Sequence, residues 1–534
     1  MKFKKKLWNL MMNKKSNLFK AFSLMSLFTL FSRVLGYIRD FFFAFLLGAT
    51  PLADSFLLAF RIPNFFRRLF AEGAINNAFI PIYLSIENKK NNIQSQQFSG
   101  SLFIFLILAL IVVCVLGELF MLDLVKILAP GFTEKMQIKT AYLASIMFPY
   151  LLFISASSFL GAILNAKKRF LMWAFLPIIL NLFMVLGMLL AFYNSLDITK
   201  VLAFSVTIAG FFQFIFIFLR IRFLKIRFIM TRPKISKNVK SFFKLLFPNL
   251  LAGGVVQINQ LVGVIFAASI PGAISWLYYA DRIVQLPLGI FIISISTILL
   301  TNLSIPKHQK NPNNINNQIE KSIEIMLGIS LLSCIGLLIL SELIVDILFR
   351  RGQFGYGDVK ATSDAILMYA LGLPAFGFIK IFSTIFFSRQ DTKTPFRVSF
   401  FSMLLNVIAI FLLIKDLGHV GIALALSISS WMNAIILYIF IYLKGYWKFK
   451  FLFLKKTIKL LIVFIVSINV VDALEYFIIY FDLVDTSTLF KKVLLLSYLI
   501  IISITTFILF CIIFRILSIK DLNRNKLNNL FRGN

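Results

Sequence analysis

Six arginines stand inside stretches that are otherwise apolar. Arg33 and Arg39 lie in FSRVLGYIRD (31–40), Arg61, Arg67 and Arg68 in ADSFLLAFRIPNFFRRLFAEGA (53–74), and Arg282 in WLYYADRI (276–283). Four carboxylates share these stretches: Asp40, Asp54, Glu72 and Asp281. Each ionisable side chain within a spanning helix costs roughly 2.5–3.5 kcal/mol on insertion, so a cluster of them marks a site. On a helix, Arg33 and Asp40 fall two turns apart on one face, and Asp54, Arg61 and Arg68 form one stripe. Glu72 follows Arg68 at pairing distance. Charge pairing through Asp40, Asp54, Arg68, Glu72 and Asp281 would neutralise part of the set and tie helices together. Six cations against four anions still leave a surplus. A buried cationic surplus calls for an anion, and the planar guanidinium fork matches phosphate oxygens two at a time.

The elements that must hold these residues follow from composition. The chain has 534 residues, of which 60% are hydrophobic and 14% charged, with a mean hydropathy of +0.90. Soluble domains carry about 45–50% apolar and about 25% charged residues, so a polytopic all-α membrane protein is expected. Apolar runs long enough to span a bilayer occur over 21–47, 52–86 (broken at Pro63), 99–122, 140–164, 170–193, 199–222, 240–270, 275–303, 321–341, 364–387, 396–414, 420–443, 456–480 and 489–514, about fourteen in all. The loops between them are too short for a soluble catalytic domain. The basic start precedes a run too long for a signal peptide, which predicts an uncleaved first helix.

The net charge of +33 invites a nucleic-acid reading, but most Lys and Arg fall in alternate loops. That is the positive-inside pattern, and it predicts both termini in the cytoplasm. Cys114, Cys334 and Cys511 sit singly in apolar runs, and His308 and His419 lie far apart, so no metal site is expected. No GxxxxGK[ST] loop and no DxD-type acid cluster occurs, which argues against ATP-driven transport and against transfer chemistry. The expected protein is not an enzyme and has no cofactor, its transport being driven by membrane potential or an ion gradient.

The chain also repeats itself. Gly48-Ala49 and Pro63 recur as Gly272-Ala273 and Pro287, and Pro149 and Asn181 recur as Pro374 and Asn406, at offsets of 224 and 225. Six helices per repeat give two lobes of the same orientation. The division expected is a basic N-terminus (1–20), an N-lobe (21–222), a basic linker (223–239), a C-lobe (240–443), a C-terminal helix pair (444–514) and a tail (515–534). Repeat transporters bind cargo between their halves, so an arginine-lined cavity for an anionic, phosphate-bearing cargo is expected.

FSRVLGYIRD, RIPNFFRRLFAEGA, YYADRI, FPYLLFISASSFLGAILNAKKRF (148–170) and FFSRQDTKTP (386–395) resemble the MurJ/MviN lipid II flippase family over nearly the whole chain. The resemblance implies the fold of the multidrug/oligosaccharidyl-lipid/polysaccharide exporter superfamily in the bacterial inner membrane. It implies lipid II, the undecaprenyl-diphosphate-linked disaccharide peptide, as cargo in peptidoglycan synthesis. It further implies substrate contacts at Arg33, Arg39, Arg67 and Arg282, and a groove for the lipid tail at the C-terminal helix pair. Membrane lipids are implied partners, and the cell-wall synthesis machinery is a candidate one. Gln285 stands where some members carry glutamate, and the segments 240–270 and 396–414 lack the acids of sodium-binding members. A flippase for another polyprenyl-diphosphate glycan, a membrane glycosyl- or acyltransferase, and a non-transporting scaffold are the alternative readings.

Overall fold

In the computed structural model of the protein, residues 18–70, 74–88, 92–167, 169, 171–226, 235–304, 312–448, 451–480 and 488–516 are described. Residues 1–17, Glu72, His308, part of the 223–239 linker and the tail from 517 lie outside the described residues. The described elements are helices: α1 (Leu18–Leu47), α2 (Pro51–Phe70), α3 (Ala74–Asn88), α4 (Asn92–Leu119), α5 (Met121–Leu128), α6 (Glu134–Met147), α7 (Tyr150–Ala166), α8 (Leu171–Tyr193) and α9 (Ile198–Phe223). They continue as α10 (Lys237–Ala267), α11 (Ala273–Pro287), a π-turn (Leu288–Ile292), α12 (Ile293–Ser304), α13 (Pro312–Ile339) and α14 (Ser341–Phe349). The last are α15 (Tyr356–Phe387), α16 (Lys393–Leu443), α17 (Phe451–Tyr480) and α18 (Leu489–Ile513).

Ten helical runs among the described residues are long and apolar enough to cross a membrane. One of them, α16, contains two of the expected segments, 396–414 and 420–443. They are joined at Gly418, whose φ of 56° and ψ of −133° are conformations open to glycine alone. The break expected at Pro63 is absent: α2 runs through Pro63, and the described helix resumes only at Ala74. Pro149 does interrupt, separating α6 from α7, whereas its repeat partner Pro374 sits inside the continuous α15.

The chain forms two compact units. The first comprises Met1–Ser275 with Arg351–Phe354, and the second Trp276–Arg350 with Gly355–Asn534. In the first, α7 is almost wholly buried among α3, α4 and α9. Its Ser155, Ala156, Ser157, Ser158, Gly161 and Ala162 keep the helix thin, which lets neighbouring backbones approach where apolar lipid supplies little drive to associate. A chain division at 223–239 follows the repeat, but the contacts divide the molecule later, because α10 packs on α2 and α3.

The segment 351–354 joins this first unit through a tight fit. The Gln353 N–H donates to the Phe45 carbonyl at 3.0 Å, and a Cβ on Gly352 would lie 2.1 Å from that same oxygen. Gly48 and Gly352 both take positive φ (59° and 58°), as does Gly272 (86°), the repeat partner of Gly48.

In the second unit, α15 packs against α13, α14 and α16. The C-terminal pair is part of this unit's core: Phe453, Leu460, Val463, Val471, Phe507 and Cys511 bury with Ile319, Ile323 and Met326 of α13. Lys456 adds an ion pair to Glu324 at 2.9 Å.

Candidate functional site

Within the first unit, Arg39 and Asp40 are both buried, at 6% and 3% exposure. Arg39 donates from Nε and Nη2 to the Asp40 carboxylate at 3.0 and 2.6 Å, and from Nη1 to Asn181 Oδ1 of α8 at 3.0 Å. Asn181 in turn donates to the Ser32 carbonyl at 3.2 Å. Arg39, which the resemblance implies as a substrate contact, is therefore engaged in a clamp between α1 and α8. A desolvated pair with its remaining donor satisfied is stable when complete and costly when halved.

Asp54 is fully buried. Its carboxylate accepts the Gly272 N–H (2.7 Å), the Ser275 N–H (2.9 Å) and the Ser275 hydroxyl (2.6 Å), at the first turn of α11. The reason is local electrostatics: the opening N–H groups of a helix are donors without intrahelical partners, and a carboxylate meets them better than a neutral cap.

The other arginines of this unit lie nearer the surface. Arg33 and Arg61 are half-buried. Arg67 is half-buried on α2, and its Nε donates to Asn64 Oδ1 at 2.9 Å, one turn earlier. Arg68 is exposed and reaches α10, donating to Gln260 Oε1 at 2.7 Å and Gln257 Oε1 at 3.5 Å. The expected Arg68–Glu72 pairing involves a residue outside the described ones. These amide contacts orient guanidinium groups without themselves cancelling charge.

In the second unit, Arg282 of α11 folds back over Tyr278. Its guanidinium carbon lies 5.1 Å from the ring centroid, and Nη2 donates to the phenol oxygen at 3.1 Å. Asp281 accepts from Gln285 Nε2 at 2.5 Å. The Gln285 amide thus holds the aspartate by donation.

Five partners were missed by reading residues singly: Asn181, Gln257, Gln260, Tyr278 and Ser275. Tyr278 was findable, because it stands four residues before Arg282 on a helix. Asn181 was noticed only as a repeat landmark. The glutamines carried no local signal, since their partner is about 190 residues away in the chain. What these side chains can do chemically is hold anionic oxygens at several guanidinium groups within apolar helices.

A family model described as "Lipid II flippase MurJ" matches residues 43–494. A probable lipid II flippase MurJ of Rickettsia prowazekii (strain Madrid E) is 39% identical over 434 residues, covering 79% of this chain and 83% of that protein. One of Rhizobium meliloti (strain 1021) is 37% identical over 437 residues, covering 81% and 82%. Among solved structures, a lipid II flippase MurJ in an inward closed conformation superposes with a TM-score of 0.76 at 27% identity, over 93% of this chain and 99% of that one. An inward-facing MATE-family multidrug transporter superposes at 0.68 with 12% identity over 77% and 94%, a likeness of fold alone.

Proposed function

The chain belongs to the lipid II flippase MurJ family, and from that premise we propose that it carries lipid II across the bacterial inner membrane. The observation that supports this most is the family likeness over residues 43–494. In this reading both termini are cytoplasmic, and the headgroup is taken from the inner leaflet and released at the outer one by alternating access. No covalent bond changes, so the protein is a transporter. The polyprenyl tail stays in lipid, beside the helix pair α17–α18.

We assign phosphate recognition to Arg33 and Arg67 in the first unit and to Arg282 in the second, each of them half-buried and held on a helix within the apolar part of the chain. Arg68 stands ready beside Arg67. Arg39 serves as a positioning residue that fixes α1 on α8. Each negative charge moved outward gains about 2.3 kcal/mol per 100 mV of inside-negative potential, so the potential alone can favour export without a nucleotide.

The test is replacement of the resident flippase in a depleted strain. The native chain is expected to prevent lysis and lipid II accumulation, and Arg282→Ala to fail while still inserted in the membrane. Arg282→Lys should recover only part of the activity, because an ammonium keeps the charge and loses the fork. Full function of Arg282→Ala would refute the assignment of that residue. Loss of a surface glycan without lysis would move the reading to another polyprenyl-diphosphate cargo.

A further inference from the structure

Past Pro287, the helix that carries Arg282 makes one π-turn and then displays Ser294, Thr297, Thr301 and Ser304, all exposed, along α12. Each hydroxyl donates back along its own helix: Ser294 to the Ile290 carbonyl (2.8 Å), Thr297 to Ile293 (2.8 Å), Thr301 to Thr297 (2.9 Å) and Ser304 to Leu300 (2.7 Å). The proton is thus used inside the helix, and the oxygen lone pairs turn outward. The result is a row of acceptors.

The π-turn decides which way that row faces. In an unbroken α-helix, at about 100° per residue, the four hydroxyls would lie roughly 140–220° around the axis from Asp281, on the far side. A π-turn absorbs one extra residue, which brings them to roughly 40–120°, the arc that also holds Arg282 and Gln285. The burial pattern agrees. Ile283 and Val284 before the turn, and Ile292, Leu299 and Leu303 after it, are all buried, which puts them on one face only if a residue has been absorbed. Asp281, Arg282 and Gln285 therefore continue into the hydroxyl row as one strip, with donors and charge at its beginning and acceptors along the rest. Exposed Ile290, Ile293 and Ile298 flank it.

We propose that this strip holds the saccharide–peptide part of the lipid-linked substrate, with Arg282 at the diphosphate end. The proposal rests on the flippase reading above and deepens it. A row of acceptors fits the O–H and N–H donors of a glycan and its amides, and it repels phosphate oxygens. It therefore adds affinity for the headgroup beyond the diphosphate.

The probes are lipid II and undecaprenyl diphosphate, which share the phosphates and the tail and differ in the glycan and peptide. Their binding to the full-length purified protein is measured by native mass spectrometry. The variant Ser294→Ala/Thr297→Val/Thr301→Val removes three acceptors at nearly constant volume. Its affinity for lipid II is expected to fall about tenfold or more, with undecaprenyl diphosphate bound as tightly as by the native chain. Native-like binding of both lipids, or equal weakening of both, overturns the proposal. Arg282→Ala run in parallel is expected to weaken both lipids. If it weakens neither, the phosphate assignment fails, a result separable from failure of the strip.

Discussion

Arg39 and Asp54 show what becomes of a charge that the fold must bury. Both were visible in the sequence as costly residues in apolar helices, yet spacing along the chain could not reveal their partners, Asn181 and Ser275, which come from distant segments. Asp54→Ala would strand two backbone N–H groups and a hydroxyl. A loss of roughly 1–3 kcal/mol is expected, read as a lower thermal midpoint in detergent, with Asp54→Asn costing less because it keeps one acceptor. Outside the membrane-spanning segments, burial alone would raise the Asp391 carboxyl, but hydrogen bonds from Lys444 and Thr394 outweigh it and hold the group at about 2. Since its ordinary value is 3.8, this carboxylate adds stability that is fully present above about pH 4 and is lost as pH falls through about 2. Thermal midpoints measured from pH 6 downward should show that acid limb, and Asp391→Asn should flatten it.

Elements were legible wherever hydropathy alone defines them. The expected segments from 99–122 to 489–514 fall on helices, though 140–164 is divided at Pro149, 396–414 and 420–443 share α16, and the short α5 and α14 had no expected counterpart. Where a single backbone group decides the outcome, sequence was a weaker guide. Pro63 promised a break and sits in a continuous helix, while the break expected between 414 and 420 is made by the backbone of Gly418 alone. The π-turn had no sequence signal beyond a proline. Its consequence can be tested at this scale: deleting Ile290 restores plain α spacing and swings the hydroxyls of α12 by about 100°. Lipid II affinity should then fall as in the triple variant, with helical content by circular dichroism retained. Gly352→Ala is expected to be worse than an ordinary surface change, since positive φ and a backbone oxygen 2.1 Å from the new carbon both oppose it. Reduced yield of folded protein on size-exclusion chromatography measures that cost.

For the whole molecule, an apolar composition with repeated apolar runs of bilayer-spanning length called for an all-α membrane protein. Gly48 and Gly272, which the expected repeat pairs, both take positive φ. The compact units were not legible, since they depend on which helices touch. The first unit is discontinuous in the chain, retaining residues 351–354 at the end of α1. During synthesis, then, the Phe45 carbonyl is made some 300 residues before the Gln353 N–H that donates to it. At about 5–20 residues per second the wait lasts about 15–60 s. Until the ribosome has moved past that point, the tip of α1 is open to chaperones, lipids and proteases, and only afterwards does it acquire its native cover.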